Sequence, residues 1–572
     1  MHSARSLKLF VAPAAKSSHK VAIFWLFLSL TFAATYGILA LQDAFSADYV
    51  VQDDARQHVF WMQRFLDSQL FPQDLIADYF QSVSPAGYAT LYRLMAAVGI
   101  PPLIFSKILP LILGLITTVY CFGVTLQLLP VPFAGFLATV LLNQSLWMQD
   151  GLISATPKAF VYPLFLPFLY YLLKQNLLGT AGAIALLGLF YPQYVFIAAG
   201  ILILQLIQWK NRRFSLSFPA KKTRFFAINI AVAFFILLPY AISTSEFSPT
   251  ISLAEAKTLP EFLPGGRTQF FIANAWDFWF HGRSGIGLSA ALTPAFMALG
   301  FLLPILRQFP QPFPLAKSLS IRVRVLGELL LASLGMFFAA HALLFQLHLP
   351  SRYTQHSLRM VMAFSAAIAI TLLLDAAGKW ARTLWRKLLF FPLTSLLLAT
   401  LIFYPQWAMS NFPWTYYQTG TQPQLYGFLQ QQPKDSLIAS LSEEANNLPT
   451  FAHRSILAGR EYAIPYHLGY YAQFRDRTEA TIAAQYTPEL ATVQQFLDRY
   501  RVDLWLVDKG AFTPSYLAEN SWLRQYPAAQ QAIAQLKSPT PPAIVTLMNR
   551  CSIFENYGTV VLDSRCILNS DS

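Results

Sequence analysis

Charge is what this chain has least of. Of its 572 residues only 12% are Asp, Glu, Lys or Arg, while 55% are hydrophobic. That balance excludes an ordinary soluble domain and places the chain among polytopic membrane proteins. Cysteine is scarce as well: there are three, none in a CxxC pair, which removes the usual zinc ribbon and CxxC redox centre. No HExxH and no Gly-rich phosphate loop occurs, so zincin and P-loop chemistry are excluded. No internal repeat is found either. Glu328 and Asp375 sit at span ends rather than inside spans. Both absences count against a transporter built from inverted repeats with acids in its helices.

What the chain does have is long apolar runs. They cover roughly 21–41, 103–128, 133–148, 158–173, 177–191, 193–208, 225–243, 288–306, 325–347, 357–376 and 388–408, at about 17–25 residues per crossing. The two around Tyr191-Pro192 are short and can also be counted as one bent helix. The first run follows Arg5, Lys8, Lys16 and Lys20, and Ala44-Phe45-Ser46-Ala47 loosely suits a cleavage site. The run is longer than a signal-peptide core and many spans follow, so it reads as a retained anchor. The net charge of +13 points to topology rather than to nucleic acid. Lys174, then Lys210, Arg212, Arg213, Lys221, Lys222 and Arg224, then Arg307, Lys317, Arg322 and Arg324, then Lys379, Arg382, Arg386 and Lys387 fall on the side of the basic N-terminus. That predicts residues 1–20 in the cytoplasm and 410–572 outside.

The predicted fold is thus mainly α, a polytopic membrane protein of about eleven transmembrane helices. The membrane part is 21–409 with an outer loop at 42–102, and 410–572 forms a small extracytoplasmic α/β domain. Within that loop Arg56–Phe71 has amphipathic spacing and Pro85–Val98 is apolar but short, so both read as helices lying on the outer membrane surface. In the tail, Ser436–Leu441 and Val502–Val507 read as buried strands, and Pro488–Tyr500 as a helix. Cys551 and Cys566 share this oxidising side and are predicted to pair, whereas Cys121 lies in a span as a small core residue.

Three places on the outer side carry ionisable groups. The first is Asp48 to Trp61, where Asp53, Asp54, Arg56 and His58 crowd together. A partly desolvated carboxylate beside cations is suited to general-base work; the plain alternative is a helix N-cap in a solvated connector. Adjacent acids in an extended segment point opposite ways, so one would face a cavity, and Asp54 is preferred. The second is Met148–Lys158, where Asp150 ends one span and Lys158 begins the next; Lys158 by itself reads as interfacial punctuation. The third is His348–Arg359. Arg352, His356 and Arg359 recur at four- and three-residue spacing, giving one face if the next helix begins early. Guanidinium groups on the outer side oppose the charge rule, and they bind phosphate oxygens in a forked manner. Snorkelling to lipid headgroups is the competing reading. His281 and Arg283 add further cations after the aromatic run Trp276–Phe280.

Taken in this order, the pattern resembles the GT-C class of membrane glycosyltransferases, which use polyprenyl-linked sugar donors. The likeness runs from about Lys20 to Trp407 plus the tail, and rests on Asp53-Asp54 after the first span, Asp150 between the third and fourth, and Arg352-Tyr353. It implies an inverting transfer from a polyprenyl-phosphate sugar to an extracytoplasmic acceptor, whether glycan, lipid or protein. It also implies catalysis by Asp54 or Asp53, assistance from Asp150, and phosphate contacts from Arg352, Tyr353, His356, Arg359, His281 and Arg283. Asp150 lacks the paired acids of the oligosaccharyltransferase branch, which leaves both a divalent metal and a metal-free site open. The Trp-Trp-Asp signature of that branch is absent, against peptide glycosylation. The alternatives are a lipid or solute transporter and a non-catalytic membrane scaffold with an outer binding domain.

Overall fold

The computed structural model describes residues 19–210, 213–216, 220–242, 245–556 and 558–571. The N-terminal tail up to Ser18, Arg212 and Ser572 therefore lie outside the described residues.

The core of the helical part is α6 (Pro132–Trp147), preceded by α1 (His19–Ala44) and α5 (Pro102–Leu128). All of α6 is buried. It carries no polar stripe because it has no solvent or lipid to face. Trp25 of α1 meets Phe133 and Phe136 with ring centroids 5.1 Å apart in each case. Two polar contacts tie the helices at depth. Thr139 donates to the Ser29 hydroxyl at 2.8 Å, and the Asn143 amide donates to Thr118 at 2.9 Å. In apolar surroundings such pairs fix register where hydrophobicity alone cannot. Among the described residues six helices are long and apolar enough to cross a membrane: His19–Ala44, Pro102–Leu128, Thr223–Ile242, Ile321–Ala342, Ser351–Trp380 and Leu384–Ile402. The protein is a polytopic membrane protein of mainly α structure. The last of these helices leaves Leu388, Leu393 and Leu396 exposed on its apolar surface.

The eleven apolar windows of the sequence all fall on helical segments, but not all on long ones. The window 288–306 is divided into Leu288–Ala291, a 3-10 stretch Ala295–Leu302 and Leu303–Gln308. Pro294, which has no N–H to offer, stands between the first two. Residues 177–191 and 193–208 form two helices, Leu177–Phe190 and Gln193–Leu206, parted at Tyr191-Pro192. A hairpin, β2 (Ile207–Lys210) with β3 (Arg213–Leu216), follows them.

The first loop differs from its sequence reading. Arg56–Phe71 is not one surface helix. It comprises the end of α2 (Asp53–His58), a 3-10 turn Phe60–Phe65 and coil. Its apolar residues Val59, Phe60 and Met62 are wholly buried, packed under the tail rather than on lipid: the Phe60 ring lies 5.5 Å from Tyr462. The amphipathic pattern was real, but its apolar face found protein.

The tail holds a five-stranded sheet in the order β6-β5-β7-β9-β8. Its strands are β5 (Leu437–Ser440), β6 (Ser455–Ile456), β7 (Leu504–Asp508), β8 (Ser552–Glu555) and β9 (Thr559–Asp563). β6, β5 and β7 run parallel and the last two antiparallel. The central β7 is apolar and buried from Leu504 to Val507, as suits a strand covered on both faces. Cys551 and Cys566 are joined, with Cα atoms 5.4 Å apart. Ahead of this sheet, β4 (Tyr417–Thr419) pairs antiparallel with β1 (Val50–Gln52) of the first loop. The chain's tail therefore splints the residues that precede Asp53.

Candidate functional site

The helix α2 begins at Asp53. The Gln52 side chain caps it, accepting from the N–H groups of Asp54 at 2.9 Å and Ala55 at 3.3 Å. Neither aspartate is the cap, and neither lies in an extended segment. They occupy the first turn, where negative charge suits the helix dipole. Successive helical residues point about 100° apart, so the two carboxylates face different neighbours. The Asp53 N–H also donates to the Tyr416 carbonyl at 3.2 Å, continuing the splint made by β1 and β4.

Asp53 is drawn towards the tail. It pairs with Arg56 at 2.7 Å; Arg56 in turn donates to Asn447 at 2.9 Å and lies 3.3 Å from Glu461. Glu461 also accepts from Gln57 and pairs with Arg267. Asp54 is drawn towards the membrane helices. It pairs with Lys158, whose ammonium also lies 3.2 Å from Asp150. Lys158 stands on a 3-10 turn, Pro157–Phe160, that follows the short helix Asp150–Ile153.

Opposite these acids stands the helix Ser351–Trp380, which starts six residues before the apolar window does. That early start puts Arg352, His356 and Arg359 on one face. All three line a cavity of about 210 Å³ together with Lys158, Asp150 and Gln149. Arg359 is held by Gln149 and reaches the Tyr162 hydroxyl at 3.5 Å; His356 Nδ1 lies 3.2 Å from the same hydroxyl. Arg352 and Arg283 make no ion pair or side-chain hydrogen bond among the described residues. Gly287 forms part of the cavity wall with φ of 75°, and a Cβ there would come within 3.1 Å of Gln355. Glycine thus serves both its backbone and the width of the cavity.

Several expected residues are placed elsewhere. Tyr353 is buried with its hydroxyl donating to the Leu347 carbonyl at 3.0 Å, and does not line the cavity. His281 caps the helix Ala275–Phe280 through its backbone; its neighbour Gly282 lines the cavity, but its own side chain does not. Arg283 is half-buried outside the wall, within the fields of Arg352, Arg267 and Asp54. Asp54 lies behind Lys158 at the edge rather than on the wall itself. Glu461 and Arg267 were not singled out from sequence, and Lys158 was read there as interfacial punctuation. Each is a charged residue in an apolar or aromatic neighbourhood, which is the one local signal they carried.

The electrostatics of the two acids follow from this geometry. Burial alone pushes Asp54 up. The Lys158 ammonium overrides it, and with His58 and Arg352 brings the carboxyl below the usual carboxylate range. Burial pushes His58 down to about 4, only partly opposed by Asp54. Burial pushes Glu461 up to about 7, with Arg267 and Arg56 pulling against it.

A divalent cation, one of the two readings left open by the sequence, does not fit this site. The Lys158 ammonium occupies the space between Asp54 and Asp150, where a metal shared by the two acids would have to sit. Among the described residues no three His, Cys, Asp or Glu side chains are grouped as metal ligands.

No protein-family model and no curated protein matches the sequence. The fold does match solved structures. An archaeal oligosaccharyltransferase from Archaeoglobus fulgidus, in complex with an inhibitory peptide and a dolichol-phosphate, aligns with a TM-score of 0.53 at 12% identity, over 89% of this chain and 72% of that one. The same enzyme tethered to an acceptor peptide aligns at 0.50 with 11% identity, over 89% and 72%. An ArnT from Cupriavidus metallidurans bound to undecaprenyl phosphate scores 0.46 at 11% identity, over 97% and 100%. The chain therefore shares its fold with this archaeal oligosaccharyltransferase, at great divergence of sequence.

Proposed function

We propose that this protein is a membrane glycosyltransferase that moves a sugar from a polyprenyl-phosphate donor to an acceptor outside the cytoplasm. One observation carries the reading: the polar cavity has far more cationic than anionic groups. On its wall Asp150 is one carboxylate against the three cations Lys158, Arg352 and Arg359, and Asp54 pairs with Lys158 from behind. Unbalanced positive charge beside hydrocarbon is costly, and a phosphate offsets it. A second cavity supports a lipid carrier. It is an apolar groove of about 770 Å³ lined by residues such as Leu109, Ile112, Ile116, Pro163 and Leu186, and Phe160 also lines it. Lys158 faces the polar cavity and Phe160 the groove, so the turn Pro157–Phe160 stands between a place for a headgroup and a place for a chain. The oligosaccharyltransferase of the same fold was solved with a dolichol-phosphate.

In this reading Arg352 and Arg359 grip the donor phosphate. The acceptor oxygen bonds to the anomeric carbon from the face opposite the phosphate, inverting it. The bond from that carbon to the phosphate oxygen breaks, and its electron pair leaves with the lipid phosphate. The acceptor proton passes to Asp54. A carboxylate held low accepts that proton late, once the hydroxyl has become acidic through bond formation. Asp150 keeps Lys158 in position. Residues 1–20 are cytoplasmic and 410–572 lie outside, so the cavity faces a donor already flipped across the membrane.

The test uses protein in lipid nanodiscs with a panel of polyprenyl-phosphate sugars. Arg352→Lys should weaken donor binding by roughly ten- to a hundredfold, because an ammonium cannot make the forked contact. Asp53→Asn with Asp54→Asn together should leave donor binding and abolish transfer. If that double variant transfers sugar normally, or if no such donor binds, the enzyme reading falls to the transporter or scaffold. A reporter fused at the C-terminus that works only in the cytoplasm overturns the topology.

A further inference from the structure

We propose that the Lys158 ammonium serves as a built-in cation between Asp54 and Asp150, taking the place that a shared divalent metal would fill. The inference rests on contacts rather than on the reaction. Lys158 pairs with Asp54 and stands 3.2 Å from Asp150, and its side chain is 15% exposed against 28% and 47% for the two acids. The lysine is the least accessible member of the group, in the middle, and the carboxylates flank it. A metal held by these acids would have to displace a buried ammonium that has both of them as counter-ions.

The placement of Lys158 is also built in from below. The turn that carries it is entered through Ala155, whose φ is 52°, and the Ala155 carbonyl accepts from the Tyr92 hydroxyl at 3.0 Å. Ser154 and Thr156 are hydrogen-bonded at 2.8 Å across the same bend. A non-glycine residue in the left-handed region is retained where its surroundings insist on it. These contacts aim the Pro157–Phe160 turn so that Lys158 meets acids from two different loops. Lys158 is thus a positioning residue. It holds Asp54 ionised and oriented and adds one positive charge at the cavity wall, without the ligand geometry a metal demands.

The proposal is tested by metal uptake, with no sugar present, so that it stands or falls apart from the transfer reading. Purified full-length protein in nanodiscs is titrated with Mn²⁺ by calorimetry and by thermal shift. Wild type should take up no Mn²⁺ at this site. Lys158→Ala should take up one ion per chain, and Asp150→Asn added to that variant should abolish the uptake. Lys158→Met, which preserves side-chain volume, serves if the alanine variant does not fold, and should respond to Mn²⁺ in the same direction but more weakly. Lys158→Arg should remain unresponsive, since it restores the cation. If wild type binds Mn²⁺ and Asp54→Asn or Asp150→Asn removes that binding, the proposal is overturned. It fails equally if neither lysine-free variant binds the ion, because the two acids would then not form a cation site at all.

Discussion

Asp53 and Asp54 share one helical turn, yet their surroundings differ in kind. Around Asp53 the charges close on themselves. Asp53 and Glu461 face Arg56 and Arg267, two of each sign, and Asn447 and Gln57 take up further hydrogen-bonding capacity. Around Asp54 the charges do not close: Lys158 is shared between two acids, while Arg352 and Arg283 have no ionic partner among the described residues. The first set joins the outer loop to the tail, and the second opens on a cavity. A balanced network reads as structure and an unbalanced one as a place for an anion, even where the two networks meet at adjacent residues.

The largest effect should come from breaking the open side. Asp54→Asn keeps the shape and removes the base, so transfer should fall on the order of 10²–10⁴-fold with donor binding retained. Asp53→Asn should lower activity far less and act mainly on thermal stability. Equal losses from the two variants, measured as initial rates in nanodiscs, would collapse the distinction.

Next comes the closed side. Glu461→Ala leaves Arg267 without the only ion-pair partner it has among the described residues and strips one from Arg56, both largely buried. Breaking such a pair costs roughly 3–5 kcal/mol, since the remaining charge stays desolvated. The expected readout is loosening where the tail meets the loop, seen as faster amide exchange in both Val50–His58 and Tyr417–Thr419. Exchange that accelerates in the tail alone would mean that Glu461 does not couple the two.

How much of this was legible in the sequence follows the same divide. Helices announced themselves through apolar length, and the early start of Ser351–Trp380 was readable from the four- and three-residue spacing of Arg352, His356 and Arg359. Strands β5 and β7 were visible as short apolar runs. The acids were visible because acids are rare here. Tail partners were not: Glu461 lies about 400 residues beyond Gln57 and nothing in its local pattern names a distant arginine. The stretch Arg56–Phe71 was misread as lipid-facing because amphipathic spacing tells that a face is buried, not by what; Pro85–Val98 does hold a helix, Ala86–Ala97, that leaves Leu94 exposed. Lys158 was set aside because a lysine at a span end is so ordinary; only its two acid contacts distinguish it.

A third test uses the tail as a control. The Cys551–Cys566 bridge closes a separation of 15 residues around β8 and β9, worth about 3 kcal/mol in the chain-entropy account. Cys551→Ser with Cys566→Ser should lower the thermal midpoint of the tail while leaving transfer unchanged below it. A loss of transfer at temperatures where the sheet is still intact would show that the far side of the tail reaches the open cavity.

The smallest effect is a pH dependence that separates the two sides by sign. His58 is held neutral, with a pKa near 4 against an ordinary 6.5, because burial disfavours its charged form more than Asp54 favours it. Between those values an opened loop takes up a proton that the closed loop does not. Its contribution to stability is therefore lost as pH falls from 6.5 towards 4. Glu461 has the opposite sense: its pKa is raised from 4.5 to about 7, so the folded state binds the extra proton and stability falls as pH rises through that window. Wild type should show the two trends partly cancelling in its thermal midpoint. His58→Asn should remove the acid-side loss and leave a profile that declines with rising pH, whereas Glu461→Gln should leave one that climbs. Parallel profiles for the two variants would mean that neither group titrates as its surroundings dictate.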